Sequence, residues 1–432
     1  MEKTERQQIK KLIQREVIPA IGCTEPAAVA LCVAKATETL GCCPEKIEVQ
    51  LSANMLKNAM GVGIPGTGMS GLPIAIALGA LIGKSAYQLE VLRDCTPEAV
   101  AAGRAYIAEK RISIKLKTAC DKLYIEVRCT VRSESARCII VGTHTNIVTV
   151  EKNGKPIGAP MRASQAAGTH HTDADPKLTM HKVFDYATTA PLDELEFIMD
   201  AATLNSRAAE VSLQGCYGHR LGRTINELND NLLGNSVYAH ILAVTSAACD
   251  ARMDGAMIPV MSNSGSGNQG IAATLPVVAF AKDNGNSRDA LVRALTLSHL
   301  TVIYTKQSLG RLSALCGCVV AAIGASCGIT LLMGGDYHQV CAAVKNMIGN
   351  ITGMICDGAK PSCAMKVASG VSSAVLSAML AMHGQCVTDM EGIVDNDIDR
   401  CIENLTRIGR EGMCATDQLV LQIMTEKDHA AR

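Results

Sequence analysis

The second half of the chain is unusually rich in small side chains, and this feature most limits the folds available to it. Residues 240–385 are dominated by Ala, Gly, Ser, Cys and Met, and they contain few alternating β-branched residues. Strands are typically built from β-branched and aromatic residues with a period of two, whereas small side chains let packed helices approach closely. We therefore expect residues 177–432 to form an all-helical domain with a crowded core.

The first 176 residues have different periodicities. Apolar residues at helical spacing, interrupted by a break containing Pro and Gly, predict two helices within residues 1–41, joined by the turn GCTEP. Residues 42–176 contain segments that alternate like successive antiparallel strands, with a hairpin signal at Asn153-Gly154. These segments are KIEVQLS (46–52), RISIKLKTA (111–119), KLYIEVRCTV (122–131) and ARCIIVGTHTNIVTVEKNGKPI (136–157). The sequence thus predicts an α+β fold, with an N-terminal α/β segment followed by a large helical domain rich in Ala and Gly.

The composition argues against a nucleic-acid-binding protein and against a membrane protein. The 41 basic and 41 acidic residues cancel, and the chain has no Trp and only three Phe, which argues against a nucleic-acid-binding surface. Two uncharged stretches, 59–83 and 312–335, are long enough to span a membrane. Both are rich in Gly, Ser, Thr and Cys and lack flanking aromatic belts, so we interpret them as interior helices and expect no membrane partner.

Cysteine is the exceptional residue type, with 19 copies. The N-terminus MEKTERQQIKKLIQREV is charged and lacks the apolar core of a signal peptide, which predicts a cytoplasmic protein with reduced thiols. Cys356 and Cys363 flank a turn in ICDGAKPSC, and Cys316 and Cys318 lie in LCGC. Spacing alone leaves two interpretations open, which are buried structural thiols and iron–sulfur ligands that arrive from turns.

Cys23 has a different setting, on the turn just before a predicted helix. At that position the helix dipole favours the thiolate, which predicts a lowered pKa for Cys23. His170 and His171, with Asp173 and Asp175 nearby, suggest a zinc site, although their spacing matches no standard pattern.

Two glycine-rich segments and an arginine pair are candidate binding elements. GIPGTGMS (63–70) resembles a phosphate-binding loop but has Met69 in place of the Lys, so its amides are better suited to a small carboxylate. SNSGSGNQG (262–270) is dense in uncharged hydrogen-bonding groups, and a substrate-binding loop and a plain loop both remain open. Arg220 and Arg223 suggest either a carboxylate clamp or a charge pair on a helix face.

Five blocks, in one order between residues 17 and 370, resemble the L-cysteine desulfidase family, which is related to the α-chain domain of bacterial iron–sulfur L-serine dehydratases. The blocks are IPAIGCTEPAAVAL, NMLKNAMGVGIPGT, SNSGSGNQGI, RLSALCGCVVAAIGASCGI and NMIGNITGMICDGAKPSCAMK. The resemblance implies a 4Fe-4S cluster held by three protein thiolates, Cys356, Cys363 and one cysteine of LCGC. We favour Cys316 for the third ligand and keep Cys318 as the alternative, so residues 177–432 become the iron–sulfur domain.

The resemblance also implies a reaction, the β-elimination of L-cysteine to sulfide, ammonia and pyruvate without pyridoxal phosphate. Cys23 would act as the base or occupy the open iron, and Lys57 is the alternative base if burial lowers its pKa. The Ser-Ser-Ser-His block of the serine dehydratases does not occur in this sequence, which favours the desulfidase branch. A lyase acting on L-serine or another β-substituted amino acid, and a non-catalytic iron–sulfur redox sensor, are the alternatives.

The amino-acid substrate needs groups that hold its carboxylate and its amine. We expect these groups in the two glycine-rich segments and beside Lys57. The sequence leaves the oligomeric state open, and the protein could be a monomer or a homo-oligomer. The expected substrate-binding residues are Asn58, Gly66, Thr67, Ser264, Ser266, Asn268 and Gln269.

Overall fold

A computed structural model of the chain describes residues 1–157, 175–227, 233–310 and 313–427. The predicted α+β fold is confirmed, with the larger sheet in the N-terminal part and helices in the C-terminal part. The N-terminal helices are α1 (Lys3–Glu16), α2 (Thr24–Leu40), α3 (Ala53–Ala59), α4 (Leu72–Leu81) and α5 (Pro97–Ala108). The strands of this part are β1 (Pro19–Ile21), β2 (Lys46–Leu51), β3 (Gly63–Ile64), β4 (Met69–Ser70), β5 (Ile112–Leu116), β6 (Tyr124–Val131), β7 (Glu134–Val141), β8 (Ile147–Lys152) and β9 (Lys155–Pro156).

Six strands form one sheet in the order β5-β2-β6-β7-β8-β9. The four segments predicted as strands all contain them, but the prediction of successive antiparallel strands is wrong for β5, which pairs in parallel with β2. The reason is the long connection from β2 to β5 through α3, α4 and α5, since a parallel pair requires such a crossover. Apolar residues alternate inward along β6 and β7, and they bury the face on which α2 packs.

The opposite face of β6 carries an ionic cluster centred on Glu126. Its carboxylate accepts hydrogen bonds from the Tyr124 hydroxyl at 2.7 Å, from Arg137 Nε at 2.7 Å and from Lys117 Nζ at 3.1 Å. Burial raises the pKa of Glu126, but these three donors outweigh burial and lower the pKa to about 2.

In the C-terminal residues that the structure describes, helices surround one short strand, β10 (Pro259–Met261), which pairs antiparallel with β1. This pairing places the turn GCTEP, at the start of α2, beside the loop SNSGSGNQG (262–270). The helices are α6 (Met180–Thr189), α7 (Leu192–Leu195), α8 (Met199–Gln214), α9 (Leu221–Glu227), α10 (Val237–Met253), α11 (Gly267–Asp283), α12 (Arg288–Leu309), α13 (Gly317–Leu332), α14 (Tyr337–Ile351), α15 (Cys363–Met382), α16 (Ile398–Arg407) and α17 (Cys414–Glu426).

The residues predicted to form the N-terminal segment contribute to two cores. Ile9, Leu12 and Ile13 of α1 join the core of the helical part, whereas α2 packs against the sheet. The domain boundaries after residues 41 and 176 remain predictions.

The two uncharged stretches contain the short apolar helices α4 and α13, in which nearly every residue is buried. A Cβ added at Gly324 of α13 would come closer than 3.0 Å to the carbonyl oxygen of Ser298 in α12, so a small residue is needed at this crossing. Among the described residues, α15 is the one helix whose length and composition would allow it to cross a membrane, and half of its most apolar window is buried inside the protein.

Candidate functional site

Four helices begin at residues that the sequence analysis singled out. Cys23 is the N-cap of α2, Ser266 the N-cap of α11 and Cys316 the N-cap of α13, while Cys363 is the first residue of α15. Within the described part of the chain, none of these four helices has a side chain that caps its first N–H groups. The first turns of α2, α11 and α13 therefore keep free backbone donors, whereas the first three N–H groups of α15 donate to the carbonyls of Lys360, Pro361 and Ser362. All four helices keep the positive ends of their dipoles, which favour an anion.

Cys316 and Cys356 are held side by side by a short antiparallel bridge. The Cys316 N–H donates to the Met354 carbonyl at 3.0 Å, and the Cys356 N–H donates to the Ala314 carbonyl at 2.7 Å. Burial raises the pKa of Cys356 and of Cys363, and the charges of the neighbouring cysteine thiolates raise it further. The structure thus brings the three cysteines into electrostatic contact.

Nowhere in the described ranges does a group of three His, Cys, Asp or Glu side chains have the closeness needed to hold a single metal ion. An iron–sulfur cube differs from a single ion, because each thiolate binds a different iron and the sulfurs stand apart around the cube.

Cys316 and Cys318 have opposite electrostatic settings. The thiol of Cys318, in the first turn of α13, donates to Cys316, and this hydrogen bond lowers the pKa of Cys316 to about 7 against the effect of burial. The same contact raises the pKa of Cys318. The arrangement favours a thiolate at Cys316. Cys249, in the middle of α10, also lies within electrostatic contact of Cys363 and Cys316; sequence reasoning missed it because no turn marks its position.

Lysines surround the thiols. Lys57 is buried in α3, where its Nζ donates to the Cys356 carbonyl at 3.2 Å and pairs with Asp417 of α17. Lys366, one turn into α15, donates to the Ile355 carbonyl at 2.7 Å. Positive charge from both lysines opposes the rise in the pKa of Cys356 that burial causes. A cluster held by three thiolates is an anionic group, so the donor set, the helix ends and the lysines fit it.

Cys23 contacts a carboxylate that sequence reasoning missed. Its Sγ donates to Glu25 Oε2 at 2.9 Å, and Glu25 Oε1 accepts from Asn58 Nδ2 at 3.2 Å. Burial and then the charge of Glu25 raise the pKa of Cys23 above its ordinary value. The expectation of a lowered pKa at this helix start is therefore wrong, because burial and a facing carboxylate outweigh the dipole.

The loop SNSGSGNQG is not a solvated loop, since most of its polar side chains are buried. Ser264 Oγ donates to Asn263 Oδ1 at 2.8 Å, and the Ser266 N–H donates to the Asn263 carbonyl at 3.0 Å. Asn268 Oδ1 accepts from Arg252 Nη1 at 3.0 Å. The Gln269 side chain lies against Gly317, where an added Cβ would be 3.0 Å from its Cγ, so this loop reaches the residue next to Cys316.

The segment GIPGTGMS forms a tight hairpin from β3 and β4. The Gly66 N–H donates to the Gly255 carbonyl at 3.2 Å, and the Thr67 N–H donates to the Ile64 carbonyl at 3.2 Å. The Thr67 hydroxyl also donates to the Ile64 carbonyl at 2.8 Å, so the groups expected to bind a substrate carboxylate here already have backbone acceptors within the protein. An apolar cleft lined by Ile64 and Met257, among others, opens between this hairpin and Cys23.

The remaining candidates lie elsewhere. Arg223 pairs with Glu227 at 2.6 Å along α9, which is the charge pair on a helix face rather than a clamp. His170, His171 and Asp173 lie outside the described residues, and Asp175 pairs with Arg15 at 2.9 Å.

Comparison with known proteins gives consistent matches along the whole chain. Residues 86–422 match the family model described as "Serine dehydratase alpha chain". Similar proteins include a UPF0597 protein of Bacteroides fragilis, 65% identical over 429 residues that cover 99% of this chain and 100% of that protein. A UPF0597 protein of Bacteroides thetaiotaomicron is 65% identical over 429 residues, 99% of each chain. One of Phocaeicola vulgatus is 63% identical over 429 residues, 98% of this chain and 99% of that protein.

Proposed function

Since the chain belongs to the serine dehydratase alpha-chain family, we propose that it is an iron–sulfur-dependent lyase that converts L-cysteine to sulfide, pyruvate and ammonia. The observation that supports this most directly is the electrostatic contact of Cys316, Cys356 and Cys363, two of them at helix starts, beside lysines and a buried polar loop. We place the activity in the cytoplasm, where thiols stay reduced. The family description favours L-serine as the alternative substrate.

Cys316, Cys356 and Cys363 would hold a 4Fe-4S cluster, which when bound supplies a Lewis-acidic iron with one position free for substrate. Lys57 and Lys366 balance the negative charge of the thiolates. Because the ammonium of Lys57 is engaged by Asp417 and by the Cys356 carbonyl, its contacts support a charge-balancing role more directly than proton abstraction.

The elimination removes the proton on Cα and breaks the Cβ–S bond, releasing hydrosulfide and 2-aminoacrylate, which tautomerises and hydrolyses to pyruvate and ammonium. Cys23 can take the Cα proton only as a thiolate, whereas its raised pKa keeps it protonated. The pKa of Glu25 is lowered, so its carboxylate is ionised and accepts the Cys23 hydrogen bond at 2.9 Å. Glu25 Oε2 would take the proton from Sγ as Sγ takes the proton from Cα, so that no free thiolate accumulates. Cys23 and Glu25 thus act together as the base.

The substrate's ammonium group needs acceptors, and two buried amide oxygens lack a partner. Asn58 Oδ1 and Gln269 Oε1 have no hydrogen-bond donor among the residues that the structure describes. Their orientations follow from chemistry, because Asn58 Nδ2 faces the Glu25 carboxylate and Gln269 Nε2 faces the Asn263 carbonyl, and both of these only accept. An α-ammonium group supplies the missing donors, while Asn268, Ser264 and Ser266 shape the loop.

The test is anaerobic cluster reconstitution followed by sulfide and pyruvate assays with L-cysteine and L-serine. We expect product from L-cysteine, and Cys356→Ser should lose bound iron and activity. Cys327→Ala, which changes a buried cysteine of α13 outside the site, should keep both.

Each remaining outcome has a distinct meaning. Faster pyruvate formation from L-serine would replace the desulfidase assignment with a dehydratase. Full iron without turnover of either amino acid would support a redox sensor. Unchanged iron in Cys356→Ser would remove this cysteine from the ligand set.

A further inference from the structure

Arg252, near the end of α10, is a buried cation with no role in the proton transfer and bond cleavage proposed above. It is 4% exposed. Its Nη1 donates to Asn268 Oδ1 at 3.0 Å and its Nη2 donates to the Gly22 carbonyl at 3.0 Å, so both donors reach neutral oxygens. Its Nε is also buried and has no acceptor among the described residues. The Glu25 carboxylate lies within electrostatic range of Arg252, yet the Nε–H still has no acceptor among the described residues. A buried guanidinium N–H in this state is stabilised by an anionic acceptor, which points to a ligand.

The guanidinium lies directly on the first turn of α11. A Cβ added at Gly267, the first residue of that helix, would come closer than 3.0 Å to Arg252 Nε. The N-cap Ser266 makes no capping hydrogen bond with any described residue, and the first N–H groups of this 17-residue helix have no acceptor within the helix. An unpaired buried Nε–H, uncapped backbone donors and the positive end of the dipole therefore occupy one place.

We propose that Arg252 and the N-terminus of α11 form the subsite that binds the α-carboxylate of an amino acid. Gln269, in the same first helical turn, offers an unpaired amide oxygen that can accept from the α-ammonium group. One turn of helix therefore carries both donors for the carboxylate and an acceptor for the ammonium. The pairing selects a free α-amino acid over an amine without a carboxylate or an acid with a blocked amine. This assignment deepens the proposed lyase function and rests on it for the reaction, whereas binding is measurable separately.

The experiment uses L-alanine, which has no leaving group at Cβ, and L-alaninamide, in which a neutral amide replaces the carboxylate. Calorimetry on the anaerobically reconstituted protein should give tighter binding of L-alanine than of L-alaninamide. Because a hydrogen bond to a charged group contributes roughly ten- to hundredfold in affinity, we expect Arg252→Gln to weaken L-alanine binding by about that factor and to abolish the preference. Arg252→Lys, which keeps the charge but loses the planar fork, should retain part of the preference.

Arg293→Gln is the matched control. Arg293 also donates to two backbone carbonyls, those of Ala187 and Ala190 at 3.1 Å, but it lies at the contact between α12 and α6. It should bind L-alanine as the wild type does, and iron content should be unchanged in all three variants.

Wild-type affinity for L-alanine in Arg252→Gln would overturn the subsite, and so would equal weakening in Arg293→Gln. Failure of the wild type to distinguish L-alanine from L-alaninamide would overturn it as well. If the wild type binds L-alanine through Arg252 but turns over neither L-cysteine nor L-serine, the carboxylate subsite stands and the proposed lyase function fails.

Discussion

Gly358, between Cys356 and Cys363, should tolerate no side chain. Its φ is +90°, and an added Cβ would come closer than 3.0 Å to the carbonyl oxygen of Lys57 in α3. In Gly358→Ala the left-handed backbone costs about 1–2 kcal/mol, and relieving the overlap with rigid backbone costs a further ~1–3 kcal/mol. We expect the free energy of unfolding to fall by about 2–5 kcal/mol, with the loop displaced from α3 and less iron bound.

Gly334→Ala separates the two contributions. Gly334 follows α13 with a φ of +87°, and no atom of the described chain lies within 4 Å of an added Cβ. This control should lose only the backbone contribution of about 1–2 kcal/mol and keep its iron. Urea titration of the apoprotein and iron analysis after anaerobic reconstitution measure both quantities. Equal destabilisation of the two variants, with full iron in each, would refute the idea that close packing on α3 positions the thiols.

Three further substitutions test the charges in the structure. Lys57→Met should lower the free energy of unfolding by about 3 kcal/mol, the lower end for a broken buried pair, because the Asp417 side chain keeps 17% exposure. Adding Asp417→Leu should restore much of that loss in urea titrations, and a single variant as stable as the wild type would contradict the buried pair. Glu25→Gln should lower the pKa of Cys23 yet leave it raised by burial; site-resolved alkylation against pH measures this, and an unshifted profile would exclude the Glu25 charge as a cause. Glu126→Gln should destabilise the protein above pH 4.5, the ordinary pKa of Glu126, and this difference should shrink as pH falls towards the folded pKa of about 2. A difference in urea midpoint that stays constant from pH 7 to pH 3 would count against the three hydrogen bonds.

The strands were predictable where one face of the sheet is buried. β6 and β7 have alternating apolar residues because α2 covers a single face, and such alternation is visible in the sequence. The parallel pairing of β5 was not predictable from its own residues, because the partner of a strand is chosen by the path of the intervening chain.

The thiol cluster was only partly predictable from spacing. Cys316 and Cys356 are far apart in sequence, and they meet through a two-residue bridge between Leu315 and Ile355 that has no sequence signature. Spacing therefore left buried thiols and cluster ligands both open, and the family resemblance rather than a physical pattern supplied the preference. The place of Cys249 beside these thiols was not predictable at all, since the sequence around a buried helical cysteine is the same whether its neighbours are aliphatic side chains or other thiols.

Cys23 shows why a local rule can misjudge the chemistry of the residue that it picks out. A helix N-terminus favours a negative charge by about 0.3–1 kcal/mol, up to ~2 kcal/mol in favourable geometries. Burial of a thiolate beside another negative charge disfavours ionisation by a larger energy, so the pKa of Cys23 is raised rather than lowered. The start of a helix is determined by local sequence, as Cys23 and Ser266 show. Packing determines which groups face that start: Glu25 accepts from Cys23, and Arg252 lies on the first turn of α11. A site assembled from helix ends therefore has ligand positions that sequence can indicate and protonation states that only the fold determines.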